Sequence, residues 1–152
     1  MKKRAVIFLV LRVAVGAAFV ISGFQKLTHP YQNFVEVIEK FQIIHAPYSV
    51  WVAKTLPWAE FLSGVFLCAG LFTKLALSGV WAMNTAFIVL LASSMLRKLP
   101  LDQCGCFGEA VKFSLPQMLF IDAVIWLACL ALSQAPQKAR KLSLDALFES
   151  ND

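Results

Sequence analysis

Four long apolar stretches, at about 5–23, 50–72, 75–96 and 115–132, constrain this chain more than anything else in it. At 1.5 Å per residue, a helix over each reaches roughly 27 to 35 Å, enough to cross a hydrocarbon core of about 30 Å. Inside lipid a backbone must satisfy its own hydrogen bonds, so runs of this length read as helices. The composition agrees: 59% of residues are apolar, 15% are charged, and the mean hydropathy is +0.71. The expectation is an all-α integral membrane four-helix bundle, one domain over 1–152.

The start, Met1-Lys2-Lys3-Arg4 before Ala5 to Gly23, has the basic and apolar regions of a signal peptide. Its apolar run is too long for that, and further runs follow, so it reads as an uncleaved first span. The formal charge of +5 belongs to loops and tails facing water and head groups. No basic stripe interleaved with aromatics points to nucleic acid. Between the first two spans, 25–49 is too polar to cross. Phe34, Ile38 and Phe41 share a helical face there, which fits either a short amphipathic helix or an ordered loop with buried aromatics. His29-Pro30 and Ala46-Pro47 punctuate this segment. Thr73-Lys74 should form the turn between the second and third spans. After 134 comes a polar tail.

With the amino terminus in the cytoplasm, seven Lys and Arg residues fall inside and six outside. The inside charges, Lys2, Lys3, Arg4, Lys74, Lys138, Arg140 and Lys141, cluster at span ends. The outside ones are diluted among Glu36, Glu39, Asp102 and Glu109. Both termini are therefore expected in the cytoplasm of a cell whose inner membrane holds the chain.

Every span carries one conspicuous polar residue. Arg12 lies about 10 Å from the inner end, Glu60 about 15 Å from the outer end, Asn84 about 13 Å from the inner end and Asp122 about 10 Å from the outer end. Such groups should turn away from lipid and satisfy one another. The expected cluster has Arg12 bridging Glu60 and reaching toward Asp122, with one carboxyl in surplus and able to hold a proton. It can serve as a proton relay beside a redox site, or as glue that fixes helix order.

The polar connection 97–114 holds Cys104-Gly105-Cys106. Gly105 lets the chain turn sharply enough to bring two sulfurs together, and a disulfide closing so small a loop should be reducible. In this orientation the pair faces the extracytoplasmic side, where disulfides persist. Cys68 and Cys129 sit inside apolar runs and read as small buried hydrophobes. His29 and His45 lack partners at metal-ligand spacing, so no metal site is expected.

Taken in order, several of these residues resemble the MauE branch of the DoxX-like membrane proteins. They are Arg12 with Gly16, Ser22-Gly23-Phe24-Gln25-Lys26-Leu27, Leu56-Pro57-Trp58-Ala59-Glu60 with Gly64, Cys104-Gly105-Cys106-Phe107-Gly108, and Asp122. The resemblance covers nearly the whole chain. It implies a four-helix membrane bundle in redox service, working beside a thioredoxin-like partner in maturing the disulfide-rich small subunit of methylamine dehydrogenase. It also implies Cys104 and Cys106 as the redox pair and Arg12, Glu60 and Asp122 as intramembrane polar positions. Quinone-linked disulfide generators offer an analogy in which a quinone accepts the electrons. Those proteins carry Cys-x-x-Cys and a second pair, whereas this chain has Cys-x-Cys and no second loop pair. The residues leave two main functions open: disulfide exchange with a thioredoxin-like or secreted partner, or a membrane scaffold that docks a thioredoxin-fold protein. A metal site recruiting His29 or His45, and transport, are weaker readings.

Overall fold

The structure is a computed structural model and describes residues 2–98 and 114–134. Among them all regular structure is helical: α1 (Lys2–Thr28), α2 (Tyr31–Lys40), α3 (Tyr48–Ala69), α4 (Thr73–Leu96) and α5 (Leu115–Gln134). Three stretches among the described residues are long and apolar enough to cross a membrane, Val6–Thr28 of α1, Thr73–Leu96 and Leu115–Gln134. The apolar runs predict four crossings. The remaining long helix, α3, has 22 residues but is diluted by Lys54, Pro57 and Glu60. The connection 99–113, with Cys104 and Cys106, and the tail from 135 lie outside the described residues.

α1 continues five residues beyond the apolar run that predicts it, which ends at Gly23. It stops where His29 precedes Pro30, whose ring disfavours helical geometry at the residue before it. Two side chains close its last turn: Thr28 Oγ1 and His29 Nδ1 both donate to the Gln25 carbonyl, at 2.9 and 2.8 Å. Carbonyls at a helix end lack intrahelical donors, so these bonds replace what the helix cannot supply. His29 is thus engaged at a helix terminus.

The segment after Pro30 takes the helical reading. Ile38 of α2 is buried, and so is Phe41 just beyond it, beside Leu91, Leu115 and Met118. Ser49 Oγ donates to Glu39 Oε1 at 2.8 Å, and Arg97 Nη1 donates to the Phe41 carbonyl at 3.3 Å. These bonds fasten α2 to the start of α3 and the end of α4. It therefore closes one end of the bundle.

The α3–α4 turn falls at Gly70–Phe72, not at Thr73-Lys74 as predicted; Thr73 already belongs to α4. Gly70 adopts φ 73°, and its N–H and that of Leu71 both donate to Phe66 O. A left-handed residue ends a helix this way, and glycine takes that conformation without steric cost.

α1 makes its most extensive contact with α3. A Cβ at Gly16 would lie 2.9 Å from Gly64 O, one at Gly23 2.8 Å from Pro57 O, and one at Gly64 2.7 Å from Gly16 O. The two backbones touch, as small residues allow between helices in lipid. α4 packs on α5 through side chains: the Trp81 and Trp126 rings meet at a tilt of 50° with centroids 5.7 Å apart, and Trp126 Nε1 donates to Thr85 Oγ1 at 3.2 Å. A second core of Val15, Phe19, Leu67, Val80 and Cys129 fills the half of the bundle away from α2.

Candidate functional site

The glycine contacts fix the register of α1 on α3, and the register decides which polar groups meet. Because Gly16 faces Gly64 and Gly23 faces Pro57 and Phe61, Glu60 lies opposite Ser22 and Lys26. Ser22 and Lys26 are four residues apart and so share one face of α1. Lys26 Nζ stands 2.7 and 2.9 Å from the two Glu60 oxygens and 2.9 Å from Ser22 Oγ. Ser22 Oγ in turn donates to Glu60 Oε2 at 3.1 Å. The Lys26 and Glu60 side chains are 2% and 0% exposed.

Phe34 of α2 and Phe87 of α4 each place a ring centroid 5.3 Å from the Lys26 ammonium. Aromatic faces attract cations, and more strongly where water is excluded. The ammonium is therefore held by a carboxylate, a hydroxyl and two rings, with α2 as the roof. Removing either charge would leave the other buried and uncompensated, a change that costs about 3–5 kcal/mol for pairs of this kind.

Asn84 and Asp122 form a second polar pair between α4 and α5. Asn84 Nδ2 donates to Asp122 Oδ1 at 3.2 Å, and both side chains are buried. Asp122 lies close enough to Lys26 and Glu60 for the charges to act on one another. Asn84 Oδ1 and Asp122 Oδ2 are buried without a hydrogen-bond partner among the described residues. A cavity of about 20 Å³ lies beside Asp122, between α1, α4 and α5.

Arg12 is also buried, at 2% exposure, but toward the other end of α1. Ten residues separate it from Ser22, about 15 Å along the axis. Its charge acts on the Cys68 thiol, near the end of α3 remote from α2. The cation on Glu60 is thus Lys26, where the sequence suggests Arg12. Depth counted along separate apolar runs inherits the error in each run's end, and α1 outruns its apolar stretch far enough to bring Lys26 into the bundle. Ser22 and Lys26 are the two site residues that sequence reasoning misses; their four-residue spacing is the sign that could have found them.

Of the predicted polar positions, the structure brings Glu60, Asn84 and Asp122 into one neighbourhood and sets Arg12 apart. Cys129 is fully buried among apolar side chains, and Cys68, half-buried, directs Sγ toward the Val13 carbonyl at 3.7 Å. Both are free thiols. Among the described residues no three His, Cys, Asp or Glu side chains converge as a metal site would require.

No curated protein and no solved structure matches the chain. Residues 4–134 match the family described as methylamine utilisation protein MauE, a span that takes in all five helices apart from the first two residues of α1. With three helices fit to cross a membrane and a family match over most of its length, this chain belongs to the MauE family of membrane proteins in methylamine utilisation.

Proposed function

We propose that the chain is a membrane-embedded thiol–disulfide redox protein whose Cys104-Gly105-Cys106 pair exchanges disulfides with a thioredoxin-like or secreted partner. α3 makes the fourth crossing in this reading, and both termini face the cytoplasm of the inner membrane. The observation that carries the proposal is positional. The connection holding the pair leaves after Lys98, next to the Arg97 that bonds to Phe41, and returns at Ser114, just before the Leu115 that packs on Phe41. Both ends thus lie at the α2-capped end, on the side of the Lys26–Glu60 pair.

A partner thiolate attacks one sulfur of the Cys104–Cys106 disulfide, which breaks as a mixed disulfide forms. The partner's second thiolate resolves that bond, leaving Cys104 and Cys106 as a dithiol and the partner oxidised. Two electrons and two protons must then leave for the Cys104–Cys106 disulfide to re-form, and a quinone would supply an acceptor for them. The resemblance to the methylamine systems points to a disulfide-rich recipient such as the small subunit of methylamine dehydrogenase.

One observation favours a second reading, a scaffold that docks the partner without chemistry. A relay needs a second cysteine pair, yet the remaining cysteines lie on helices facing other helices, Cys129 fully buried. Trapping separates the two. In Cys106→Ser, exchange yields a mixed disulfide through Cys104 with an extracytoplasmic protein, or the converse in Cys104→Ser. Capture of the same protein by the double serine variant, with maturation intact, overturns exchange. Thiol labelling of intact cells with and without reductant reports the side of the membrane and the redox state together.

A further inference from the structure

The cavity beside Asp122 is walled by Ala18 and Phe19 of α1, Phe87 of α4 and Ile125 of α5, with Ser22 and Asp122 as its polar lining. Asp122 is 4% exposed, and its Oδ2 has no hydrogen-bond partner among the described residues. A buried acceptor left unsatisfied carries its full desolvation cost, so native structures rarely leave one alone. A void needs about 10–15 Å³ to admit a water, and the water needs at least two polar neighbours. At about 20 Å³ this partly open cavity has room for a water.

We propose that this cavity is a binding site for a single resident water, which donates to Asp122 Oδ2 and to the Ser22 hydroxyl. Ser22 already bonds to both Lys26 and Glu60. The water therefore joins the Asn84–Asp122 pair to the Lys26–Glu60 pair, and one hydrogen-bonded chain runs through α1, α3, α4 and α5. A lipid-facing void would be apolar throughout and stay dry; the carboxylate is what makes this one wet.

X-ray radiolysis footprinting of the purified protein tests it, because hydroxyl radicals born from a trapped water oxidise the side chains around it. Met118 lines the cavity and is 3% exposed, so bulk water does not reach it. Oxidation of Met118 in the wild type is the expected result, with loss of that labelling in Ala18→Leu, which fills the cavity from α1. Ile125→Phe fills it from α5 and serves where Ala18→Leu fails to fold, as judged by thermal unfolding. An unlabelled Met118 in the wild type, or equal labelling in a folded filled variant, overturns the proposal.

Discussion

The two helix pairs of this bundle are held by different means. α1 and α3 meet backbone to backbone through Gly16, Gly23 and Gly64 and share a buried salt bridge, Lys26 with Glu60. α4 and α5 meet through side chains, by an amide on a carboxyl and a pair of indoles. In lipid no hydrophobic force sorts one helix contact from another, so close packing and polar bonds must do it. The first pair relies on both at once and should tolerate little change. The second has softer contacts that can rearrange.

The sharpest way to break that contrast is Lys26→Met. It leaves Glu60 buried without its cation and should destabilise the protein by about 3–5 kcal/mol, read from thermal unfolding in detergent. Adding Glu60→Leu should recover most of the loss, since an apolar pair has no desolvation to offset. A single variant as stable as the wild type would mean that the ion pair does not hold α1 on α3. Glu60→Gln carries the functional arm: folded protein that no longer oxidises thiols assigns the pair to proton movement, whereas disappearance from the membrane assigns it to packing.

Next in size is Gly64→Ala. Its new Cβ would lie 2.7 Å from Gly16 O and 2.7 Å from Val20 N, both backbone atoms that no rotamer change can move. The helices would have to separate, at a cost of about 1–3 kcal/mol. Separation would also loosen the seat of Lys26, so a lower unfolding temperature should come with easier chemical modification of that lysine.

Lys26 and Gly64 also mark where the amino-acid sequence stops being legible. Crossing helices can be read from it because apolar length is a direct physical requirement of the bilayer. Asn84 and Asp122 can be read as a group because buried polar side chains in lipid must find each other. The partner of Glu60 cannot, and the sequence points to Arg12 instead. Register depends on where glycines allow backbones to touch, and a glycine in an apolar run looks like any other small residue. Lys26 is hidden for another reason. A lysine at the end of an apolar run ordinarily extends to the head groups, whereas here Glu60, Ser22 and the rings of Phe34 and Phe87 hold it inward.

Within the softer pair, Asn84→Leu removes the donor to Asp122 Oδ1 while keeping a side chain of similar bulk. Interhelical hydrogen bonds in membranes are worth about 0.6 kcal/mol on average and up to about 1.7. A loss in that range, well below that of Lys26→Met, is expected from thermal unfolding. A larger one would show that Asp122 depends on Asn84 as fully as Glu60 depends on Lys26, and the two pairs would no longer differ in kind.

The smallest effect is expected at Gly79, the glycine of α4 that faces α3. A Cβ there would meet Ser63 Oγ at 3.5 Å, an ordinary contact with a side-chain atom that can rotate. Alanine also favours a helix over glycine by up to about 1 kcal/mol. Gly79→Ala should therefore leave the unfolding temperature unchanged or raise it slightly, while the same substitution at Gly64 lowers it. The chemical change is identical and both glycines lie in apolar helices, so opposite outcomes can come only from what each new methyl meets. If Gly79→Ala proved as damaging as Gly64→Ala, α3 would be gripped as closely by α4 as by α1. The bundle would then be a three-helix clamp around Glu60, with α5 laid against it.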